Sequence, residues 1–532
     1  MALLDRNRAP PPHYYADRLL TMLRGVASQY SDLLSADERA TIACIRALST
    51  DAQRLLARLL SRRGTLFRID SLGYREVVSP EGAIDSLARA GLITRAPGGA
   101  ADRHLALLAI AEIVAAFPHV ARRKRRELIG FVAARYPDAV IRERIAARHG
   151  LVELVDSDRF RRFELLYFGE GRDLSTFVLE DLGMLRFESY PLDACDRLFA
   201  DRTMLDRYLE LGAMRERIGG VEQRWNAEHA ADLARDIATP EASRLLARRR
   251  SALLNRLGYA AERAGDAPLA LECYRRSERP PARERTVRLL ARRDPCAANA
   301  LLREIRASPQ SANEARFARD FGRRRPRRLP CESVLRLPAP PSTHVEAAAL
   351  EVLARDAVAG SHLENALPRT MLGLAFWEEL FAPIAGAFSN PYQSAPLDLY
   401  WKDFRAARHA AIAARLSKLE QHGVAAAVRA TFHEKHGIAN ALVAWGAFDD
   451  AFLAAVLDAV PNEKWCAMFD YMLDDLEQTR TGFPDLTLVY GPGRHAFVEV
   501  KGPGDELRRE QKIWFDFFAR AGIDARLLRV AW

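Results

Sequence analysis

Two carboxylates and one lysine near the C-terminus of this 532-residue chain have the residue types and the spacing of a hydrolytic site. Asp485 precedes one β-rich run, residues 486–490, and Glu499 and Lys501 lie in a second, residues 496–501. The Gly-Pro-Gly sequence between the runs is typical of a tight turn, so we predict a β-hairpin here. Its two strands would carry all three side chains into one region.

The position of the turn decides which residues of the hairpin face each other. With the turn at 491–494, we predict that Leu486 faces Glu499 and that Asp485 faces Val500. Side chains alternate between the two faces of a strand, so the glutamate and the lysine two residues later share one face. The two carboxylates are then near neighbours on adjacent strands.

Two carboxylates and a lysine at neighbouring strand ends suit the hydrolysis of a phosphodiester. Carboxylates are preferred ligands of hard divalent cations such as Mg²⁺ and Mn²⁺. Such a cation activates water and neutralises the charge that develops on the phosphate, while the lysine orients the nucleophile or stabilises charge. From these residues alone, the alternative is an exposed hairpin with ordinary surface charges.

The composition places the chain among globular proteins and argues against several other classes. Hydrophobic residues make up 49% and charged residues 28% of the chain. No run of about 18 uncharged apolar residues occurs, so we predict no membrane span, and residues 1–15 lack the apolar core of a signal peptide. None of the six cysteines forms a CxxC pair, which argues against a disulfide framework or a cysteine zinc site and favours a reducing cytoplasm.

Charge is distributed unevenly along the chain. Residues 1–340 carry 60 basic and 45 acidic side chains, whereas residues 341–532 carry 19 basic and 25 acidic ones. A basic body that binds a polyanion, joined to a carboxylate-rich catalytic module, would have this distribution. Solvated helix faces are the alternative.

The N-terminal part has the element order of a winged-helix module. Residues 17–63 have a helical pattern, in which Ser35 and Glu38 are spaced as a capping box. A short extended segment, a helix and a second extended segment follow, and Pro97-Gly98-Gly99 ends the series. We therefore predict a winged-helix-like domain at 1–100.

A basic cluster lies inside the helical region 101–150. Five consecutive cations at a helix N-terminus oppose the helix dipole, so the cluster suits phosphate contact better than isolated stability. A solvated basic turn is the alternative. The predicted DNA contacts of this cluster are Arg122, Arg123, Lys124, Arg125 and Arg126.

Residues 151–330 are predicted to be helical with short breaks. Small and aromatic residues between Leu257 and Ser277 fall at the positions of a tetratricopeptide helix pair, so we predict a tetratricopeptide-like domain. Residues 323–345, rich in arginine and proline, mark a linker and a boundary near 340. An arginine stripe after the helix pair is a candidate phosphate grip, formed by Arg283, Arg285, Arg288 and Arg292.

The segments around the candidate hairpin resemble the VRR-NUC domain, a branch of the PD-(D/E)xK nuclease superfamily. The resemblance rests on Gly482 to Leu486, on Val498 to Asp505 and on Gln511 with Trp514. It implies an α/β nuclease domain at 341–532. It also implies a set of site residues: the metal ligands Asp485, Glu499 and the Val500 backbone carbonyl, the catalytic Lys501 and a supporting Gln511.

A third carboxylate is expected upstream, at or on a helix, and Glu364 is the candidate. If the helix reaches back far enough, Glu364 shares an apolar face with Leu367, where a carboxylate is costly unless it is paired or metal-bound. Pro368 instead favours a helix start near itself. The resemblance then implies Glu364 as a metal ligand and catalytic residue, with a partly exposed glutamate as the alternative. We expect His362 to pack or to contact phosphate rather than to bind metal.

Further motifs resemble the Fanconi-associated nuclease family over most of the chain. They are Leu166 to Gly169, Phe177 to Gly183, Pro281 to Arg285 and Ala382 to Tyr400. The resemblance implies a multidomain, mainly α architecture: a winged-helix and SAP-like region, with the SAP-like part at 101–150, then a tetratricopeptide-like region and a nuclease domain with a helical insertion.

The resemblance also implies an activity. Members are metal-dependent, structure-specific endonucleases that cut near 5′ flaps, with 5′-to-3′ exonuclease action, in the repair of DNA interstrand crosslinks. We therefore expect Mg²⁺ or Mn²⁺ as cofactor and branched DNA as partner. The chain has no Cys/His cluster for the ubiquitin-binding zinc finger of animal members, so we expect no ubiquitin binding, and the arginine and alanine bias suggests a cytoplasmic, nucleoid-associated bacterial member.

Two alternatives stay open. One is a Holliday-junction resolvase, which requires a dimer, whereas we expect a monomer. The other is a catalytically silent scaffold that binds branched DNA, and the complete set of four charged site residues argues against it.

Overall fold

The computed structural model describes residues 14–169, 186–192, 197–322, 332–447 and 449–532. The motif at 177–183 and the linker residues 323–331 lie outside this part of the chain. Helices predominate in the described residues, which confirms the mainly α prediction. Among them, no helix combines the length and the apolar character that crossing a membrane requires.

The chain forms two compact units. The first consists of Met1–Arg186, Leu192–Leu198 and Ser389–Tyr392, and the second of Phe187–Pro191, Phe199–Phe388 and Gln393–Trp532. The described cysteines Cys44, Cys273, Cys296 and Cys466 are free thiols.

The first unit contains nine described helices and a small sheet. The predicted capping box is formed, because the Glu38 backbone N–H donates to Ser35 Oγ at 3.1 Å and the Ser35 N–H donates to Glu38 Oε2 at 2.8 Å. The helices are α1 Tyr14–Gln29, α2 Ala36–Ala47, α3 Thr50–Leu60, α4 Pro80–Arg89, α5 Ala101–Leu105, α6 Ile110–Ala116, α7 Arg125–Arg135, α8 Asp138–Ala146 and α9 Ser157–Phe168.

The central strand of the sheet in the first unit lies outside residues 1–100, the bounds predicted for the winged-helix-like domain. Strands β1 (Leu66–Arg68) and β2 (Ile93–Thr94) both pair antiparallel with β3 (Leu151–Leu154). The two extended segments predicted within residues 1–100 therefore form strands that do not pair with each other. Residues 101–150 are inserted between β2 and β3, and their hydrophobic core around Leu105, Phe117 and Leu128 also includes Leu66 of β1 and Leu151 of β3.

The second unit begins with seven helices in the region where a tetratricopeptide-like domain is predicted. A Cβ on Gly258 would lie 2.8 Å from Tyr274 Cε1, so only glycine permits this approach of the two helices. The predicted small-residue contact is thus present, while the tetratricopeptide assignment stays a prediction. The helices are α10 Arg202–Gln223, α11 Ala227–Ile237, α12 Arg244–Arg263, α13 Ala267–Arg276, α14 Ala282–Leu290, α15 Pro295–Ala307 and α16 Ala312–Asp320.

The C-terminal part of the second unit is a mixed sheet with helices around it. The strands are β4 Glu332–Arg336, β5 Ala359–His362, β6 Leu486–Gly491, β7 Arg494–Lys501 and β8 Ala525–Ala531. Their order is β4-β8-β7-β6-β5, with the first two neighbouring pairs parallel and the last two antiparallel. The crossover from β7 to the parallel β8 runs through the helix Arg509–Ala521, α26, as parallel pairing requires.

A helical insertion separates β5 from β6. The helices of this part are α17 Val345–Leu353, α18 Ala366–Ala375, α19 Trp377–Leu380, α20 Phe404–Ala407, α21 His409–His422, α22 Val424–Glu434, α23 Asp450–Ala459, α24 Asn462–Asp474, α25 Leu476–Thr479 and α26 Arg509–Ala521.

The predicted hairpin register is wrong by one residue. Leu486 pairs with Val498 and not with Glu499. Near the turn, Gly491 pairs with Arg494, as the predicted register requires. Two residues further back Val489 pairs with His495, so β6 advances by two residues while β7 advances by one. The extra residue in β6 is a β-bulge, which places two residues of one strand opposite one of the other. The shift leaves Asp485 and Glu499 near each other but changes which backbone groups they meet.

Candidate metal-binding active site

Glu499 is the most unusual ionisable residue of the second unit. Its side chain is 0% exposed on the central strand β7, and among the described residues its Oε2 atom is buried without a hydrogen-bond partner. Its Oε1 atom lies 2.7 Å from Lys501 Nζ and accepts a hydrogen bond from Gln511 Nε2. A buried carboxylate with one satisfied and one free oxygen fits a cation ligand better than a structural group.

Asp485 stands immediately before β6 and faces the same region. Its Oδ2 atom accepts a hydrogen bond from the Val500 N–H at 2.8 Å, which holds the carboxylate across the gap between β6 and β7. Its backbone carbonyl accepts from the N–H groups of Leu363 at 3.1 Å and Glu364 at 3.2 Å. Asp485 therefore ties the end of β5 to β7, the strand that bears both Glu499 and Lys501.

Glu364 reaches the site by a route that the sequence analysis did not predict. Helix α18 begins at Ala366, so Glu364 precedes it and does not share its apolar face. The residue adopts a φ of 44°, in the left-handed region, and its side chain is 53% exposed. The turn after β5 places Glu364 Oε1 3.2 Å from His362 Nε2. The ligand atoms of His362, Glu364 and Asp485 all lie within 4.8 Å of one another.

Gln511 holds Glu499 from the first turn of α26. Its Oε1 atom accepts the Arg508 N–H at 2.8 Å, so the side chain completes the start of the helix while its amide donates to Glu499. Gly482 approaches the same turn, since a Cβ there would lie 2.8 Å from the Gln511 backbone nitrogen. The next residue is tied to the start of α18, because the Phe483 N–H donates to Asn365 Oδ1 at 3.0 Å. The structure thus brings together the five predicted catalytic residues Glu364, Asp485, Glu499, Lys501 and Gln511.

Burial raises the pKa values of the two inner carboxyl groups, and the charges of nearby carboxylates add to both shifts. Burial is the main cause for Glu499, the charge of Asp485 adds to it, and the neighbouring lysine opposes it; the pKa of Glu499 is raised to about 8. Burial also raises the pKa of Asp485, against the effect of the Val500 N–H. Glu346 of α17 contributes to this shift, and no motif in the sequence marks Glu346.

We expect the affinity for Mn²⁺ to rise with pH up to about 8. The folded-state pKa of Glu499 is about 8, above its ordinary value of 4.5, so Glu499 holds a proton at neutral pH and must release it to bind a cation. The same shift means that the metal-free protein loses stability as the pH rises from 4.5 towards 8. Calorimetric titration in buffers of different ionisation enthalpy measures both affinity and proton release. An affinity that stays flat through this range would contradict the assignment.

The two predicted groups of DNA-contacting cations differ in their surroundings. The cluster at 122–126 is exposed, and within the described residues none of its members has a carboxylate partner. In the arginine stripe, by contrast, Arg283 pairs with Glu314 at 2.5 Å, Arg285 with Glu262 at 2.6 Å and Arg288 with Glu284 at 3.0 Å. The stripe is therefore largely neutralised by its own unit, which the spacing of arginines alone does not reveal.

Two family models match parts of the chain. The VRR-NUC domain model matches residues 419–532, and the model described as FAN1, HTH domain, matches residues 13–94. Glu364 and His362 lie outside both matches. These matches confirm the resemblances that the motifs indicate.

Relatives and a solved structure match nearly the whole chain. A Fanconi-associated nuclease 1 homolog of Pseudomonas aeruginosa is 33% identical, over 98% of this chain and 96% of the relative. The human Fanconi-associated nuclease 1 is 25% identical, over 97% of this chain and 62% of the human protein. A crystal structure of paFAN1 bound to 2nt 5′ flap DNA with a gap is 32% identical in sequence, covers 99% of both chains and has a TM-score of 0.87.

Proposed function

The chain belongs to the Fanconi-associated nuclease family, and from this premise we propose that it is a divalent-metal-dependent endonuclease that cuts branched DNA near 5′ flaps. We include 5′-to-3′ exonuclease action and a role in interstrand crosslink repair in a bacterial cytoplasm. The chain is a DNA nuclease by family. The proposal of a metal-dependent mechanism rests on Glu499. Its buried carboxylate lies beside Asp485 and Lys501, and only one of its two oxygens has a hydrogen-bond partner among the described residues.

The site residues fit a divalent cation. The free Oε2 atom of Glu499, the carboxylates of Asp485 and Glu364 and the backbone carbonyl of Val500 are the proposed ligands, and such oxygen donors suit Mg²⁺ or Mn²⁺. When bound, the cation supplies a water of lowered pKa and neutralises charge on the phosphate.

The chain's own groups prepare the site for that chemistry. Gln511 and the Val500 N–H fix the directions of the two inner carboxylates before substrate arrives. Lys501, 12% exposed and 2.7 Å from Glu499 Oε1, presents its positive charge at the rim of the buried carboxylate pair. From there the ammonium group is positioned to stabilise negative charge on a phosphodiester under attack.

Branched DNA is the proposed substrate. The solved relative is bound to DNA with a short 5′ flap, and its similarity covers nearly the whole of this chain. The exposed basic cluster at 122–126 offers sequence-independent contacts to phosphates, as a structure-specific enzyme needs.

The direct test is cleavage of an end-labelled 5′-flap duplex with Mg²⁺, with Mn²⁺ and with chelator. We expect incision near the branch, dependent on the metal, and slower cleavage of a 3′ flap or a linear duplex. A folded protein that binds the flap tightly but cuts none of the branched substrates would overturn the proposal in favour of a scaffold. Preferred cutting of four-way junctions by a dimer would favour a resolvase; we propose a monomer without ubiquitin binding.

We expect the basic cluster to contribute to DNA binding through counterion release. Replacing Arg122, Arg123 and Lys124 by alanine removes three unpaired cations, so the slope of log affinity against log salt should fall by up to about 3. Fluorescence anisotropy with a flap duplex at several salt concentrations measures the slope. An unchanged slope would contradict this role.

The arginine stripe provides a matched comparison. We propose it as a secondary contact, because its guanidinium groups are already paired with carboxylates. Arg283→Ala with Arg285→Ala leaves Glu314, 3% exposed, and Glu262 without their cations. The double variant should therefore lower the unfolding temperature and, per cation removed, change the salt slope less than the cluster variant does.

A further inference from the structure

We propose that His362 is a nitrogen ligand of the metal site and biases that site towards Mn²⁺ over Mg²⁺. The inference rests on the proposed metal-dependent function and adds to it a residue and a metal preference. It goes against our expectation from the sequence that His362 packs or contacts phosphate.

The backbone fixes His362 beside the carboxylates. His362 is the last residue of β5 and pairs with Leu486, the residue that follows Asp485. The chain then turns through the left-handed Glu364, whose N–H donates to the Asp485 carbonyl. This turn brings the Glu364 carboxylate back towards the histidine ring instead of continuing along the strand.

The distances match the space around a single cation. His362 Nε2 lies 3.2 Å from Glu364 Oε1, and the donor atoms of His362, Glu364 and Asp485 are all within 4.8 Å of one another. Mg²⁺ holds its ligands at about 2.1 Å, so two donors of one such ion are separated by about 3 Å to about 4.2 Å. Side-chain shifts of about half an ångström suffice to bring the three donors to that separation.

A second observation points to a cation at this place. Glu499 is 0% exposed, its Oε2 atom has no hydrogen-bond partner among the described residues, and its charge is coupled to those of Asp485 and Glu364. Glu499 is not itself one of the three residues of that group, but the effect of the Asp485 and Glu364 charges on it shows that this buried acid lies near them. His362 itself is 38% exposed, so its ring is not a core side chain, and its only hydrogen bond in the described residues is to Glu364.

The ligand chemistry decides the metal preference. Mn²⁺ shares the preference of Mg²⁺ for oxygen ligands, but as a first-row transition-metal ion it also accepts an imidazole nitrogen, which Mg²⁺ binds very weakly. A site with one imidazole among carboxylates therefore favours Mn²⁺, and removal of the imidazole should weaken Mn²⁺ binding more than Mg²⁺ binding.

The test uses the full chain without DNA, so that phosphate oxygens do not contribute. Mn²⁺ is titrated and followed by electron paramagnetic resonance, and Mg²⁺ affinity is obtained by displacement of Mn²⁺. Pulsed measurements detect the ¹⁴N nucleus of an imidazole bound directly to Mn²⁺. The variants are His362→Ala, His362→Gln, Asp485→Ala and the control His433→Ala, whose side chain is 57% exposed on α22.

We expect the wild type and His433→Ala to show the directly bound ¹⁴N signal. Both His362 variants should lose the signal and about tenfold of the Mn²⁺ affinity, with less than about a twofold change for Mg²⁺. A second outcome is that the wild type binds Mn²⁺ without a ¹⁴N signal and that Asp485→Ala abolishes this binding. That result overturns the role of His362 and leaves the proposed nuclease site intact. An unchanged Mn²⁺ spectrum in His362→Ala combined with weaker flap binding identifies His362 as a phosphate contact instead. No Mn²⁺ binding by the wild type overturns both proposals.

Discussion

Asp485→Asn is expected to reduce metal-dependent flap cleavage by about 10³-fold, or about 4 kcal/mol, while flap binding stays within about twofold. The carboxylate connects the strands of the site and contributes charge where a cation is proposed. The amide keeps the shape and the hydrogen bond from the Val500 N–H. The substitution therefore removes a charge without removing the contact that holds the hairpin in place.

The measurement is single-turnover cleavage of a 5′-flap duplex at matched occupancy, with Asp524→Asn as control. Asp524 is a carboxylate of the same nuclease region, 42% exposed and paired with Arg526 at 2.6 Å. The control should cut at the wild-type rate. If Asp485→Asn retained more than about a tenth of the wild-type rate with Mg²⁺, the assignment of Asp485 as a ligand would be wrong.

Gly482→Ala is expected to destabilise the nuclease region by about 3 kcal/mol and to impair cleavage with it. Gly482 has a φ of 91°, and a Cβ there would lie 2.5 Å from the Glu510 carbonyl carbon and 2.8 Å from the Gln511 backbone nitrogen. The left-handed conformation costs an alanine roughly 1–2 kcal/mol, and the overlap with helix backbone adds about as much again. Relief of the overlap would move the turn of α26 that aims Gln511 at Glu499.

The matched control is Gly491→Ala, at a residue with a φ of 130° and no atom within 4 Å of the added Cβ. An alanine at this position has the cost of a positive φ but no steric overlap. The difference in unfolding free energy between the two variants therefore measures the effect of packing Gly482 against α26. Urea unfolding followed by tryptophan fluorescence is suitable, because the Trp514 indole N–H donates to the Thr481 carbonyl beside Gly482. An equal loss of unfolding free energy in both variants would show that the contact of Gly482 with α26 does not contribute to stability.

The candidate residues for phosphodiester hydrolysis could be identified from the sequence, without knowledge of the three-dimensional structure. Carboxylate and lysine types at strand spacing, the Gly-Pro-Gly turn and the motif around Asp485 predicted the hairpin, the metal site and the nuclease family. Local rules sufficed because each of these signals spans few residues. The capping box of Ser35 and Glu38 and the close helix pair at Gly258 were predictable for the same reason.

Other features depend on contacts between residues far apart in the sequence. The sheet of the first unit is completed by Leu151–Leu154, more than 50 residues after β2, and strand pairing at that separation leaves no local signal. Arg283 and Arg285 appear as free cations in the sequence, but they meet carboxylates from other helices. Their neutralisation follows from helix packing and not from their spacing.

The sequence by itself determined which carboxylates and which lysine are candidates for the chemistry, because residue type and local spacing can be read directly from it. Only the tertiary structure decided how those side chains meet. A single bulge residue shifted the hairpin register, and the left-handed Glu364 ahead of α18 turned its carboxylate towards His362. The physical reason is that the candidate metal site is assembled from three strand ends and one helix start. Their relative positions depend on backbone hydrogen bonds such as those to the Asp485 carbonyl, which form between segments about 120 residues apart.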